Sequence, residues 1–418
     1  MVAAKEEKII KCRKLPVGIQ SFKKIRQEGY IYVDKSDIIW NLANNGNLNN
    51  YLSRPRRFGK SVLVDTMQAY FEGRKELFEG LKIMKLEDDW KQFPVIRLDM
   101  SRGGASAETL RSYLNIRFKQ YEQLYQIVPE STAQLADRLH AILTAAYEKT
   151  GEQVVVLIDE YDSPLQHSWK TATHEECTEV YRDVFAILKA DDEFERFVFF
   201  TGITKFTQIS LFSVLNNLTN ISFEPEYAAI CGITEDEIKE NFQPELEEMA
   251  KVNDWTLPET HDKLKDYYDG YHFCRRNMID VYNPFSLINA LDTQELRSYW
   301  ASSGATSMLP KFVKDVELRL NNFDDCMILR NTLETSDVTG GGPELFLYQC
   351  GYLTIKKSEG NIYHLGFPNE EVKQALYENV LPALTMRAEG DIQSLQAQLY
   401  LSLENCLIEA RRRRERTT

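Results

Sequence analysis

The stretch Leu52-Ser53-Arg54-Pro55-Arg56-Arg57-Phe58-Gly59-Lys60-Ser61 constrains this chain more than any other. Gly-Lys-Ser at the start of a helix ends a phosphate-binding loop, and that loop works only between a strand and a helix. Residues 48–52 can supply the short strand, and Val62, Leu63, Met67, Tyr70 and Phe71 recur at helical spacing from about Lys60. The unpaired N–H groups of a helix's first turn form an anion site. Gly59 lets the backbone approach the phosphates, Lys60 places a positive charge near the β and γ groups, and Ser61 can ligate Mg²⁺. The loop departs from the usual pattern at its opening, where Arg54 stands in place of glycine, and Pro55 removes one backbone donor. Taken alone, the tripeptide would be a chance match at a helix start.

A second stretch, Val154-Val155-Val156-Leu157-Ile158-Asp159-Glu160, turns the balance. An apolar run ending in two carboxylates reads as a buried parallel strand with acids at its C-terminal edge, where open α/β sheets bind ligands. Asp159 is the candidate Mg²⁺ ligand with Ser61, and Glu160 the candidate that polarises an attacking water. The bland alternative is a solvated turn after a core strand. The nucleotide-binding candidates are Arg54, Pro55, Arg56, Arg57, Phe58, Gly59, Lys60, Ser61 and Val62. Thr201, Thr204 and Lys205 are site candidates, because a polar residue at the end of the strand at 197–202 can sense the γ-phosphate or orient water, and Thr204 joins Asp159 and Glu160 as a catalytic candidate. Tyr32, Asp34 and Lys35 precede the loop and are candidates for base contact, although core packing competes for the tyrosine. Asp162 reads as a cap and Asp99 as the end of a strand at 93–100. Arg54, Arg56 and Arg57 are expected to brace the loop against carboxylates such as Asp99 or Asp162, with direct phosphate contact as the second choice and a patch for a partner's nucleic acid, disfavoured by the net charge, as the third. Arg196 is a candidate for donation to a neighbour's nucleotide in a ring.

At 418 residues, 43% of them hydrophobic, the chain can build two or three domains with proper cores. Strands alternating with helices from 48 to 223 imply a mostly parallel sheet covered on both faces. The expected organisation is an α/β core over 15–230, a helical lid region over 231–300, and a C-terminal mixed α/β or winged region over 301–418. Within it, 181–190 reads as helix and 221–223 as a last strand. Thr234 with Glu237 forms a capping box opening a helix to about 249, and 259–268 is a further helix. Residues 345–350, 352–356 and 362–367 read as a winged or β-rich unit, and 392–408 as a final helix before the basic run at 411–416.

The net charge of −13 excludes general coating of nucleic acid, though a local basic groove is compatible with it. Seven scattered cysteines without a C-x-x-C pair read as reduced thiols. The first fourteen residues lack the apolar core of a signal peptide, and no apolar run approaches spanning length. The expected location is therefore cytoplasmic, with no membrane partner.

With these motifs assembled, the chain resembles the bacterial AAA-ATPase-like family, whose members carry an Arg-Pro-Arg-Arg-Phe-Gly-Lys-Ser loop like that at 54–61. Other matching stretches are Tyr32-Val33-Asp34-Lys35-Ser36, Leu157-Ile158-Asp159-Glu160-Tyr161-Asp162, Thr201-Gly202-Ile203-Thr204-Lys205-Phe206, Leu215-Asn216-Asn217-Leu218-Thr219, Tyr268-Asp269-Gly270-Tyr271, Tyr282-Asn283-Pro284-Phe285 and Gly351-Tyr352-Leu353. The resemblance implies a P-loop NTPase core of the AAA type, with ATP and Mg²⁺ as cofactors. Many similar proteins continue into a nuclease-like domain of the PD-(D/E)XK class; no Asp followed by Glu-x-Lys occurs after residue 360, so that domain is expected to be absent. The implied function is an ATP-binding protein acting as Mg²⁺-dependent ATPase or ATP-driven switch. The alternative is a slow or non-hydrolysing module that regulates a nuclease or other partner. A homo-oligomer and a nucleic-acid or nuclease partner are the partner classes left open.

Overall fold

In the computed structural model, residues 13–130, 132–205, 218–276, 278–300, 309, 325–336 and 342–385 are described. The helix expected over 392–408, the basic run at 411–416, Phe206 and Leu215-Asn216-Asn217 lie outside the described residues.

In chain order the first half comprises α1 (Phe22–Glu28), α2 (Ser36–Asn44), β1 (Asn49–Ser53), α3 (Lys60–Phe71), β2 (Val95–Asp99), α4 (Ala107–Tyr125), α5 (Leu135–Thr150), β3 (Val154–Asp159), α6 (Ser163–Ser168), α7 (His174–Phe185), α8 (Ile187–Ala190), β4 (Glu195–Gly202) and β5 (Thr219–Asn220). The strands form one sheet in the order β2-β3-β4-β1-β5, and every pair is parallel. Parallel strands end at one edge, so the loop after β1 and the acids after β3 emerge side by side with only the end of β4 between them. β3 lies between β2 and β4 and all six of its residues are buried, which is why it reads as an unbroken apolar run.

The second half holds α9 (Glu235–Asn241), α10 (Gln243–Val252), α11 (Leu257–Tyr268), α12 (Pro284–Thr293), β6 (Cys326–Leu329), α13 (Arg330–Thr335), α14 (Gly342–Gln349), β7 (Thr354–Glu359), β8 (Ile362–Gly366) and α15 (Glu370–Thr385). Strands β6, β8 and β7 make a small antiparallel sheet. Its buried apolar residues, among them Ile355, Tyr363 and Leu365, belong to the same apolar core as the five-stranded sheet. The helices α9 to α12 have their own core around Ile238, Phe242, Leu246 and Leu264, onto which Leu15, Ile31 and Val33 of the N-terminal segment pack.

Four local expectations are corrected. Residues 221–223 form a 3₁₀ turn rather than a strand, because the Asn220 side chain accepts the Ser222 N–H and bends the chain after Thr219–Asn220. The helix expected over 181–190 starts at His174 and is interrupted after Phe185. The helix expected over 234–249 breaks at Phe242, since Pro244 fits only the first turn of a new helix. Residues 345–350 are largely helical: Leu345, Phe346 and Leu347 are all buried, and a short run apolar on every side does not distinguish a core helix from a core strand.

Glu195 opens β4 only 2% exposed, and neither carboxylate oxygen has a hydrogen-bond partner. Burial, followed by the nearby charges of Asp191 and Asp192, pushes its carboxyl from 4.5 to about 9. The folded state therefore keeps a proton that the unfolded chain releases, so stability falls as pH rises between those two values. Urea titrations across that range are expected to show a contribution of about 1 kcal/mol per pH unit, and Glu195→Gln removes it. An unchanged pH slope in the variant excludes Glu195 as its source.

Candidate functional site

The loop after β1 is held from below before it turns. Ser53 donates its hydroxyl to the Ile203 carbonyl at 2.8 Å, and the Arg54 N–H reaches the Gly202 carbonyl at 3.2 Å. The loop then curls through two left-handed residues, Arg57 at φ +67° and Gly59 at φ +84°. Gly59 directly precedes α3 and has no side chain to cap the helix, so the first-turn N–H groups stay open to an external anion.

The three loop arginines point to different places. Arg54 is 1% exposed, and its guanidinium donates to the carbonyls of Ser53, Ser222 and Tyr227 at 2.8–2.9 Å while lying 4.2 Å from the Phe273 ring centroid. The bracing is thus to carbonyls and an aromatic face, not to Asp99 or Asp162 as expected from the sequence. Asp162 is occupied elsewhere, and Asp99 accepts from the N–H and hydroxyl of Ser101. Arg57 reaches the Phe285 ring of α12, 4.8 Å from its centroid. Arg56 lines the cleft and lies 3.4 Å from the Gln166 side-chain oxygen. Phe58 is buried, packing edge-on against Tyr271 and Phe273. Pro55 packs against Gly351, where a Cβ would come within 2.5 Å of the proline.

Lys60 is 5% exposed and its ammonium donates to the carbonyls of Arg54 and Pro55, both at 2.9 Å. Burial lowers its pKa, opposed by the charges of Glu160, Asp159 and Asp162. Asp159 is 2% exposed and one of its oxygens, Oδ1, has no hydrogen-bond partner. Burial raises its carboxyl, while the Ser61 hydroxyl bonded to it and the Lys60 charge pull it down. Glu160 has a left-handed backbone, φ +49°, a strained conformation for a side chain of its length. Its carboxyl lines the cleft, raised by burial and lowered by Lys60. The structure therefore brings Gly59, Lys60, Ser61, Asp159 and Glu160 to one place.

Thr204 is not in the cleft wall. Asp162 accepts the N–H groups of Ile203 and Thr204, the Thr204 hydroxyl and the Gln166 amide at 2.6–3.0 Å, a closed bracket across the end of β4. Thr201 keeps a buried hydroxyl without a hydrogen-bond partner. Lys205 turns to the C-terminal region, its N–H bonded to Gln349 and its ammonium to the Glu334 carbonyl. Arg196 lies at the start of β4, the opposite edge of the sheet from the loop.

The loop opens onto a cleft of about 480 Å³. One part of its wall carries residues 56–63 with Glu160, Ser163 and His167. Its apolar end is walled by Val17, Ile19, Ile31, Val33, Phe285 and Ile288. Tyr32 and Lys35 line it; Asp34 instead accepts the N–H groups of Ser36 and Lys82. Lys35 meets both Glu237 oxygens at 2.6 Å, tying α2 to the capping box of α9 beside the cleft. Sequence reasoning missed the 16–20 segment, Phe285, Ile288 and the Lys35–Glu237 pair. Phe285 and Lys35 stood in family-matching stretches and Glu237 in the capping box, but none of these signals tells of a partner 202 residues away.

Residues 16–212 match the family described as AAA-ATPase_like, Predicted AAA-ATPase. A protein of Azotobacter chroococcum mcd 1, described as an uncharacterized protein in the vnfD 5' region, is 33% identical over 396 residues, which is 92% of this chain and 74% of that protein. Among solved structures, the ORC2 protein of Aeropyrum pernix in ADPNP–ADP complexes is 14% identical with a TM-score of 0.36, covering 87% of this chain and 99% of that one. Cdc6p from Pyrobaculum aerophilum is 10% identical with a TM-score of 0.32, covering 85% and 96%. At such TM-scores the strand order and the loop geometry above carry the description of this fold. Among the described residues no helix is long and apolar enough to cross a membrane.

Two substitutions probe the bracing. Arg54→Ala leaves three carbonyls and a ring face without their partner, and is expected to lower unfolding stability by about 2–5 kcal/mol. The loss should be equal with and without nucleotide, as measured by denaturant midpoint. Gly351→Ala adds a methyl at φ +88° against Pro55, which is expected to cost about 1–3 kcal/mol. A midpoint unchanged by either substitution means that the loop is not held from behind.

Proposed function

The chain belongs to the predicted AAA-ATPase family, and from that premise we propose that it binds ATP with Mg²⁺ in the cleft and hydrolyses it. One observation carries the reading: the buried, unpartnered Asp159 oxygen beside Ser61, at the open N-terminus of α3, with Lys60 and Glu160 in reach. A carboxylate withdrawn from water with a free lone pair and a hydroxyl next to it is a poor arrangement for stability and a good one for a hydrated cation.

The residues then have separate tasks. The first-turn N–H groups and Lys60 bind the phosphates, Lys60 exchanging its two loop carbonyls for phosphate oxygens. The apolar end of the cleft, with Tyr32, takes the base. Ser61 and Asp159 would hold Mg²⁺, which when bound offsets phosphate charge. Glu160 accepts a proton from the attacking water. Burial raises its carboxyl above the ordinary glutamate range, which strengthens it as a base. Thr204 acts indirectly if at all, through the Asp162 bracket that sets the end of β4. A switch-like role for the same site is supported by the contacts of Pro55 and Lys205 with the C-terminal region, which couple the loop to that region.

Lys60→Ala is expected to weaken ATP binding by roughly 10–100-fold, the loss of one or two charge-assisted bonds, read by calorimetric titration. Unchanged affinity removes the loop from the site. Glu160→Gln should keep ATP and lose roughly 10²–10⁴-fold in turnover. The wild-type rate should rise with pH through a midpoint above the ordinary glutamate range, because the base must be ionised and burial raises its pKa. Normal turnover in Glu160→Gln assigns water activation to another group.

A further inference from the structure

We propose that Arg56 is a catalytic arginine supplied in cis, which contacts the γ-phosphoryl group as it is transferred, and that Gln166 is its positioning residue. The proposal rests on the ATPase reading above and goes beyond it by separating three arginines that the sequence presents as one run.

Arg54 is spent inside the protein, and Arg57 is drawn across to Phe285. Arg56 stays at the phosphate end of the cleft with Lys60, Ser61 and Glu160. Two constraints hold it from outside the loop. Its carbonyl accepts from Trp300 Nε1 at 3.3 Å, which fixes the backbone. Its guanidinium meets Gln166 Oε1 at 3.4 Å. Gln166 is 1% exposed and cannot turn over freely: its amide nitrogen donates to Asp162 at 2.6 Å and to the Thr204 hydroxyl at 3.2 Å, so its oxygen is left for Arg56. The chain Thr204–Asp162–Gln166–Arg56 thus carries the end of β4 to the loop.

In hydrolysis the water oxygen bonds to the γ-phosphorus, and the bond from that phosphorus to the β–γ bridging oxygen breaks. ADP leaves with the electron pair, and the water proton goes to Glu160. Negative charge is spread over the γ oxygens and the bridging oxygen, and a planar guanidinium beside them stabilises the transition state without exchanging a proton. Because this arginine comes from the same chain, turnover needs no residue from a neighbouring copy.

The test uses the full chain with Mg²⁺, measuring ATP turnover, ADP affinity and trapping of ADP with aluminium fluoride, a mimic of the transferred group. For Arg56→Ala, ADP affinity is expected within about threefold of wild type, with kcat reduced roughly 10³-fold and the fluoroaluminate complex lost. Arg56→Lys should recover little, since one ammonium does not reproduce the fork, and added guanidinium should restore part of the Arg56→Ala rate. Gln166→Ala should lower kcat with KM unchanged. Specific activity of the wild type should not depend on protein concentration. Wild-type kcat and trapping in Arg56→Ala overturn the assignment, as does a loss of ADP affinity equal to the loss in kcat. Activity that rises with concentration and survives in Arg56→Ala places the arginine on a neighbour. A wild-type protein that binds ADP but never turns over ATP sinks the ATPase reading, and this proposal with it.

Discussion

The buried guanidinium of Arg54 is the interaction on which the phosphate loop depends. A buried charge normally finds an opposite charge. Here it finds three carbonyl oxygens and the face of Phe273, and burial lowers its pKa. The neutral carbonyls accept from both terminal nitrogens of the guanidinium without cancelling the charge, while Nε is buried without a hydrogen-bond partner. A carboxylate in their place would have made the loop's root neutral. The carbonyls belong to β1's end, to Ser222 and to Tyr227, so one side chain joins the loop to the segment that follows β5. A loop so held can present an uncancelled positive field to an anion at the start of α3.

The same edge gathers charge that no isolated strand would tolerate. Asp159 ends β3, Glu160 and Asp162 follow it within three residues, and the Lys60 charge acts on all three. They are treated differently. Asp162 is saturated by four donors and serves the backbone of β4; Asp159 is left with an open lone pair; Glu160 is held in a strained left-handed turn. Within a single Asp-Glu-Tyr-Asp run, one carboxylate is tied to the backbone of β4 while another keeps an unpartnered oxygen beside Ser61.

Behind the loop, the C-terminal sheet is part of the same apolar core rather than an appended unit. Gly351 meets Pro55, Trp300 meets Arg56, and Gln349 meets Lys205. Movement of the loop on binding an anion must be accommodated by these contacts, since packed interiors do not deform continuously. The cleft's opposite wall is tied through Lys35–Glu237 and Arg57–Phe285, so the loop lies between two bodies that each contact it.

Much of this was legible from residues alone. The strand at Val154–Asp159, the helix from Lys60 and the convergence of Lys60, Ser61, Asp159 and Glu160 follow from short-range rules: apolar period, glycine's left-handed backbone, and the parallel sheet's habit of ending at one edge. Such rules act over a few residues, and the sequence by itself determined what they govern. It did not determine where Arg54, Arg56 and Arg57 point, that Thr204 faces Asp162 instead of the cleft, or that residues 16–20 and α12 close the apolar end. For the arginines those outcomes depend on partners more than a hundred residues away, Ser222 for Arg54, Gln166 for Arg56 and Phe285 for Arg57, and for Thr204 on Asp162, 42 residues away. A long flexible side chain has no local preference strong enough to choose among them. Only the packed tertiary structure, by fixing which carbonyl, amide or ring lies within reach, made that choice.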